Sequence, residues 1–115
     1  MTNTLRPNFA ERAKAQRFQT RAFIDGRFVD ALDGKTFTTV NPANGEVLTR
    51  IAECDAADVE VAVAAAKAAF EDRRWAGLAP KERKRALLRL ADLVEQHAQE
   101  LALIESLDNG KPVDD

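Results

Sequence analysis

Residues 36–70 read TFTTVNPANGEVLTRIAECDAADVEVAVAAAKAAF, and the spacing of apolar residues changes within them. TFTTV and VLTRIA are rich in β-branched residues, as expected of strands, and the turn signals of residues 41–45 separate them. From Asp55 onward, apolar residues recur at steps of three and four, which is the period of a helix. Asp55 itself can cap the first free N–H groups of that helix. This stretch therefore predicts an α/β fold class.

Strand and helix signals continue on both sides of this stretch. AFI and RFV flank Asp25–Gly26, a dipeptide typical of a tight hairpin turn. We therefore predict a short antiparallel β-meander over about residues 22–53. Two helices are predicted to follow, over about residues 55–72 and, starting with Pro80, about residues 80–108. Trp75, in the connector between the helices, is predicted to fill the gap between them.

The predicted elements do not make a complete domain. Residues 1–20 are predicted to be a polar, helix-prone arm, and residues 21–115 one domain. Two helices and a thin meander bury one another only in part, and no long strand is present that could centre a larger sheet. The architecture is that of the opening of a larger α/β domain.

The composition is that of an ordinary globular protein. The 115 residues are 45% hydrophobic and 31% charged, with 17 basic and 19 acidic side chains interspersed. This balance gives no field that would attract nucleic acid or a membrane surface. No apolar run approaches the roughly 18 to 20 residues of a membrane helix. The single cysteine, Cys54, excludes an internal disulfide and fits a reducing compartment, so we predict a cytoplasmic protein.

No catalytic or cofactor-binding constellation is complete in the sequence. Neither common spacing of a glycine-rich phosphate loop is present. Cys54 has no histidine nearby in the sequence, and it is either an incidental thiol or a nucleophile. His97 is the sole histidine, which excludes a histidine-based metal site within one chain. The basic run of residues 81–85 is either a solvated helix start or a contact for an anion or a partner.

Asp108 occupies an electrostatically unfavourable position. It lies in the last turn of the second predicted helix, where the helix dipole is negative, just before the Asn109–Gly110 cap signal. A carboxylate there needs a donor or a cation to compensate it. Asp108 is therefore either a solvated or capping aspartate, or a ligand of a cation.

Two long stretches resemble the beginning of the aldehyde dehydrogenases. The first is FIDGRFVDALDGKTFTTVNPANGEVLTRIAECDAADVEVAVAAAKAAF, and the second is RLADLVEQHAQELALIESLDNGKP. With the Trp between them they cover about residues 20–113, and the pairing of TVNPANGEV with LDNGKP is specific to this family. The leader NFAERAKAQRFQTRAFIDG is most similar to the branch that acts on γ-glutamyl-γ-aminobutyraldehyde and similar aminoaldehydes.

The resemblance implies the N-terminal part of an oxidoreductase that oxidises aldehydes to carboxylic acids with NAD or NADP. In this family the reaction passes through a cysteine thiohemiacetal and a thioester. The segment corresponds to the opening of the cofactor-binding domain. The family's nucleophilic cysteine, its general base and its cofactor contacts lie further along, so Cys54 does not inherit the nucleophile's role. The fragment alone is expected to be inactive, with the rest of the subunit as its partner and a homo-oligomer in the parent.

The resemblance also implies a site for a monovalent cation. Several members of the family hold K⁺ or Na⁺ with backbone oxygens of the TVNP turn and the carboxylate of LDNGKP. The matching positions are Thr39, Val40 and Asp108. A cation bound there would compensate the carboxylate at its helix end.

Two hypotheses remain at this point. The first is the fragment of a dehydrogenase, favoured by IESLDNGKP (residues 104–112), which ends a helix and leads into a further element. The second is a non-catalytic, truncated paralogue that serves as an interaction module and docks on full-length subunits through its exposed alanine-rich face.

Overall fold

The computed structural model describes residues 8–114. The helices in this part of the chain are α1 (Phe9–Ala15), α2 (Ala56–Glu71), α3 (Pro80–Gln96) and α4 (Ala98–Asn109). The strands, all between α1 and α2, are β1 (Ala22–Ile24), β2 (Arg27–Val29), β3 (Thr36–Val40) and β4 (Val47–Ala52). None of the described helices is both long and apolar enough to cross a membrane. The α/β class predicted from the sequence is confirmed.

The hairpin predicted around Asp25–Gly26 is formed by β1 and β2. The two strands are antiparallel, and Ile24 pairs with Arg27, which leaves a turn of two residues. Asp25 and Gly26 have φ angles of 52° and 75°. A type I′ turn requires positive φ at both central positions, and its twist matches that of the flanking strands.

The four strands form two separate antiparallel hairpins, β1–β2 and β3–β4, and not one continuous meander over residues 22–53. The reason lies in the connection between β2 and β3. The backbone N–H of Leu32 donates to Oδ1 of Asp58 in α2, at 2.8 Å, so the connection turns toward the helix. The segment just before β1 is linked to β4, since the N–H of Ala52 donates to the carbonyl of Thr20 at 2.8 Å.

α2 begins at the N-cap residue expected from the sequence, Asp55. Its Oδ1 accepts from the backbone N–H groups of Ala57 and Asp58, at 3.0 and 3.4 Å. Oδ2 of Asp58 in turn accepts from the N–H of Asp55, at 2.9 Å. This reciprocal pair is a capping box with an aspartate at its second position. Because Asp58 also binds Leu32, one buried carboxylate, only 3% exposed, joins the helix start to the β2–β3 connection.

The single helix predicted over residues 80–108 is two helices, because the backbone leaves the helical region at His97 (φ −107°, ψ 14°). The hydrogen bonds of the helix continue on both sides: His97 N–H donates to Leu93 at 3.1 Å, and Leu101 N–H donates to His97 at 2.9 Å. The interruption is therefore one residue long. His97 Nδ1 lies 3.5 Å from a carboxylate oxygen of Glu100 on the α4 side.

The prediction that Trp75 fills the gap between the helices is wrong, because Trp75 is 45% exposed. The connector that contains it is held by a side chain of the following helix instead. Arg83 donates from Nη1 to the carbonyl of Leu78 at 2.6 Å and to that of Ala76 at 3.4 Å.

α1 forms within the arm and contacts α4 through polar side chains. Arg12 Nη1 donates to Oε1 of Gln99 at 2.6 Å, and Gln16 Nε2 donates to Oε1 of Glu100 at 3.3 Å. Both acceptors lie in the first turn of α4. The arm is thereby fixed to the helix that follows the break at His97.

The described residues bury little apolar surface. In residues 8–114, only Ala31 and Leu103 are buried hydrophobic residues. The accessible surface is 9264 Å², against about 6,200 Å² expected for a compact protein of this mass. The radius of gyration is 18.3 Å, where about 13 Å is typical of this length. About 3,000 Å² of surface that a compact domain would bury is therefore open in this chain.

The Asp58 carboxylate should contribute stability that depends on pH. The backbone N–H groups of Asp55 and Leu32 lower the pKa of Asp58 below its usual value. Its contribution is then complete above the unfolded-state pKa of about 3.9 and is lost as the pH falls through the lower folded-state value. We expect Asp58→Ala to lower the melting temperature by roughly 5 °C near neutral pH, with a smaller difference below about pH 4. Thermal melts followed by circular dichroism measure both effects.

Glu60→Ala is the matched control for this prediction, because it removes an exposed carboxylate from the same helix. It should leave the melting temperature within about 2 °C of the wild-type value at both pH values. Equal effects of the two substitutions would show that the buried carboxylate has no special role.

Candidate functional site

The C-terminus of α4 ends in a glycine with left-handed backbone. Gly110 has a φ of 81°, and its N–H donates to the carbonyl of Ser106 at 3.0 Å. The N–H of Lys111 donates to Oδ1 of Asn109 at 2.8 Å. The αL cap predicted at Asn109–Gly110 is therefore present. Asp108, one of the three predicted cation ligands, is exposed in the last turn before this cap.

The other two predicted ligands, Thr39 and Val40, lie at the end of β3. The register of the hairpin changes between them: Thr39 pairs with Thr49, whereas Val40 pairs with Val47. The extra residue on β4 forms a bulge, which bends the hairpin where β3 enters the turn. Oγ1 of Thr39 donates to the carbonyl of Thr49 at 3.4 Å.

The turn after Val40 is held by hydrogen bonds of its own backbone and of the Asn41 side chain. Asn41 N–H donates to the carbonyl of Glu46, and Gly45 N–H donates to the carbonyl of Asn41, both at 2.8 Å. Oδ1 of Asn41 also accepts from the N–H of Ala43 at 2.9 Å. The turn signals of residues 41–45 thus form a closed turn, in which hydrogen bonds hold the backbone carbonyls of Asn41 and Glu46.

The two segments that carry the predicted ligands touch. A Cβ atom placed on Gly110 would lie 3.3 Å from Cγ of Pro42, the second residue after Val40. The contact brings the end of α4, with Asp108, beside the turn that follows Thr39 and Val40. Carbonyl and carboxylate oxygens are hard donors of the kind that K⁺ and Na⁺ accept, so the residues present fit such a cation.

Clusters of acidic, histidine or cysteine side chains give no alternative site. Within residues 8–114, no three of these side chains come together in an arrangement that could hold a metal ion. A cation held between the turn after β3 and the end of α4, two segments that we call the turn pair, would therefore depend on backbone oxygens in addition to the carboxylate of Asp108.

Cys54 lies exposed in the loop between β4 and α2. Partial desolvation of the thiol raises the pKa of Cys54, and the negative charges of Asp58, Asp55 and Asp33 raise it further. A raised pKa keeps the thiol protonated, whereas a nucleophilic cysteine needs a thiolate. The geometry therefore favours an incidental thiol at this position.

The basic run of residues 81–85 divides into two parts in the structure. Arg83 is half-buried and holds the α2–α3 connector, while its four neighbours are exposed.

The residue that sequence analysis missed is Asp58, which organises the β2–β3 connection. Its signal was available in the sequence, because an acidic residue three positions after an N-cap indicates a capping box.

Comparison with known proteins decides the family. The model of the aldehyde dehydrogenase family matches residues 28–115. The chain belongs to the aldehyde dehydrogenase family. This result confirms the resemblance identified from the paired TVNPANGEV and LDNGKP stretches.

Individual relatives agree with the family match. The chain is 55% identical over 114 residues to the aminoacetaldehyde dehydrogenase of Pseudomonas aeruginosa, with 98% of this chain and 23% of the relative covered. A crystal structure of γ-glutamyl-γ-aminobutyraldehyde dehydrogenase from Burkholderia cenocepacia matches with a TM-score of 0.90 and 48% identity. That match covers 92% of this chain and 22% of the solved chain.

A third relative was solved with bound ligands. It is a variant of the P. syringae indole-3-acetaldehyde dehydrogenase, in complex with NAD⁺ and IAA. Its TM-score is 0.89 at 44% identity, covering 92% of this chain and 21% of that chain. This chain therefore spans less than a quarter of the length of the relatives it matches. The aldehyde dehydrogenase backbone is nevertheless reproduced over almost the whole chain.

The contact between the two turns predicts different costs for two glycine substitutions. Gly110→Ala should lower the free energy of unfolding by about 1–2 kcal/mol, because alanine is strained at a positive φ. The close approach of Pro42 to the new Cβ atom should lower it further. Gly45→Ala is the control, because its φ of 75° is similar but a Cβ there meets no atom within 4 Å. Urea denaturation measures both values.

Pro42→Ala supplies the decisive comparison. If the turns touch, the cost of Gly110→Ala is smaller in the Pro42→Ala background than in the wild type, while the cost of Gly45→Ala changes less. An unchanged cost of Gly110→Ala would mean that the two turns are apart.

Proposed function

We propose that this chain is the N-terminal part of an enzyme that oxidises aldehydes to carboxylic acids with NAD⁺, and that its substrates are aminoaldehydes. The family match over residues 28–115 carries the proposal. The aminoaldehyde class is supported by the names of two relatives, the aminoacetaldehyde and γ-glutamyl-γ-aminobutyraldehyde dehydrogenases. NAD⁺ is supported by the complex of the indole-3-acetaldehyde dehydrogenase variant.

In this proposal the chain supplies framework and not chemistry. Its sequence contains no phosphate-binding glycine loop, so the residues present do not fit a dinucleotide. The protonated thiol of Cys54 is unsuited to attack on an aldehyde. Formation and hydrolysis of the cysteine thioester would be carried out by residues outside these 115, and NAD⁺ would accept the hydride there. The isolated chain should accordingly be inactive.

The parent would be a cytoplasmic homo-oligomer that contains this segment in each subunit. The single cysteine supports a reducing compartment, and the balanced charge gives no reason for attachment to nucleic acid.

The turn pair would hold K⁺ or Na⁺ through the carbonyl oxygens of Thr39 and Val40 and the carboxylate of Asp108. The contact between Pro42 and Gly110 supports this assignment, because it brings both turns together. A cation there would offset the unfavourable position of Asp108 at the negative end of α4. Water would complete the coordination shell in the isolated chain.

Cation binding predicts that salt type changes stability. KCl is to replace tetramethylammonium chloride at constant ionic strength. At a K⁺ concentration ten times its Kd, the free energy of unfolding should rise by about 1.4 kcal/mol. Asp108→Asn should abolish the gain, whereas Asp92→Asn, an exposed aspartate of α3, should retain it. Thermal melts measure the gain, and equal gains in wild type and Asp108→Asn would contradict the assignment.

A second candidate function is an interaction module that docks on full-length dehydrogenase subunits. It is supported by the exposed apolar side chains of α2, among them Val59, Val63 and Phe70. In this case the native product would be the short chain itself.

Intact mass and an activity assay separate the two candidates. We expect the product isolated from source cells to exceed 12.7 kDa several-fold and to form NADH from aminoacetaldehyde. Propanal, which has the same number of heavy atoms but no amine, should be oxidised at least about tenfold less efficiently, since a charged-group contact is worth about 1.4 kcal/mol or more. The 115-residue chain should form no NADH.

Two results would contradict the dehydrogenase proposal. One is a large native product that oxidises neither aldehyde. The other is a native product of 12.7 kDa that co-purifies with a complete dehydrogenase, which would establish the interaction module instead.

A further inference from the structure

One side of α3 carries charges that oppose the helix dipole. Its basic residues lie toward the N-terminus of the helix, and its acidic residues lie toward the C-terminus. The dipole favours the opposite placement of charge. Lys81 and Arg85, four positions apart, also place like charges next to each other, as do Arg85 and Arg89. These charges therefore do not stabilise α3 within this chain.

The residues of this side form a continuous exposed surface. At about 100° per residue, they fall within an arc of roughly 140°. All of them are exposed, and we call them the α3 strip: Lys81, Lys84, Arg85, Leu88, Arg89, Asp92, Glu95 and Gln96. The larger apolar residues Leu87, Leu90 and Val94 lie on the opposite side of the helix. The α3 strip therefore stays accessible whatever covers that opposite side.

The charges of the α3 strip have no partners of opposite sign within the described chain. None of the ion pairs among residues 8–114 includes a residue of α3. Leu88 lies near the middle of the strip and is 55% exposed, although its neighbours on this side are charged or polar. An apolar residue at the centre of a charged surface is the arrangement of a protein interface, which has an apolar centre and a polar rim.

The α3 strip is complementary to a second copy of itself in antiparallel orientation. With a twofold axis at Leu88, residues equally far from this position face each other. Lys84 then lies opposite Asp92 of the second copy, and Lys81 lies opposite Glu95. By symmetry each pair forms twice, while Leu88 meets Leu88 of the second copy. A parallel orientation would instead place like charges together.

We propose that the α3 strip is a self-complementary interface through which two copies of this chain associate, with their α3 helices antiparallel and Leu88 on the twofold axis. A nucleic acid or an acidic peptide would match only the basic half of the strip, whereas a second copy matches both halves. The inference does not depend on the proposed function. Beyond the homo-oligomer expected of the parent, it assigns a surface, a symmetry and the residues that meet.

Charge reversal tests the pairing of Lys84 with Asp92. One helix on one helix is a small interface, so we expect a weak dimer of the 115-residue chain at about 100 µM and low salt. Lys84→Glu and Asp92→Lys should each raise the Kd of the dimer at least tenfold, and their combination should restore it to within about threefold. Sedimentation equilibrium measures each Kd.

Two controls locate the interface. Glu60→Lys makes the same change of charge as the second reversal but on α2, and it should leave the Kd unchanged. Leu88→Glu should raise the Kd at least tenfold, whereas Leu90→Glu, on the opposite side of α3, should leave it unchanged. The two leucines are 55% and 57% exposed, so neither substitution should alter the circular dichroism of the chain.

Cross-linking tests the position of the twofold axis. In a Cys54→Ser background, Leu88→Cys should give a disulfide-linked dimer when the chain is oxidised with diamide. Arg85→Cys should give at least tenfold less, because the two copies of this position lie about 9 Å apart along the helices. A disulfide requires Cα atoms closer than about 7 Å. Non-reducing electrophoresis measures both yields.

Four outcomes would overturn the proposal. They are a wild-type chain that is still monomeric at about 1 mM, a dimer that Leu90→Glu dissociates and Leu88→Glu does not, a double charge reversal that restores nothing, and equal cross-linking yields at positions 85 and 88. The first denies association, and the others place it on a different surface or in a different orientation.

Discussion

The fold depends on one buried carboxylate. Asp58 accepts hydrogen bonds from two backbone N–H groups that belong to different parts of the chain, Asp55 at the start of α2 and Leu32 in the β2–β3 connection. A buried charge is tolerated only when such donors surround it. The same two hydrogen bonds also have a structural role, because they fix where α2 starts and where the first hairpin ends.

The consequence of that link is an open arrangement. Because the β2–β3 connection turns toward α2, the hairpins do not merge into one sheet that could cover both helices. α2 contacts the first hairpin, α1 contacts α4, and α3 is left with its neighbour α4. Among residues 8–114, only two apolar residues are buried. The local structure is well defined, while the described residues bury almost no hydrophobic core.

The sequence predicted those features that are determined by a few adjacent residues. The Asp25–Gly26 turn, the Asp55 cap and the Asn109–Gly110 cap each depend on local φ angles or on a donor within one helical turn, and all three are present. The errors concern features that depend on distant contacts. The continuous meander required β2 to pair with β3, but the Asp58–Leu32 hydrogen bond spans 26 residues and redirects the chain.

The same distinction explains the two errors in the helical half. No proline or glycine at His97 indicates the helix break, and the helical spacing of apolar residues continues through it. The helices on its two sides differ in their surroundings, since the described part of the arm binds α4 through Arg12 and Gln16. Trp75 has the size of a residue that fills a gap, but it is 45% exposed and the connector is held by Arg83 instead. The capping box at Asp58 could have been predicted, because its signal is local.

At the candidate site, a glycine that is predicted from its neighbours in sequence also takes part in a contact with a distant segment. Gly110 satisfies two independent constraints: a positive φ that ends α4, and the absence of a Cβ where Pro42 approaches. The first constraint can be read from Asn109–Gly110 alone, but the second exists only once the hairpin turn and the helix end are in contact. This contact gives a physical reason why the TVNP and LDNGKP stretches occur together. Each is a turn that ends an element, and Pro42 in one approaches Gly110 in the other.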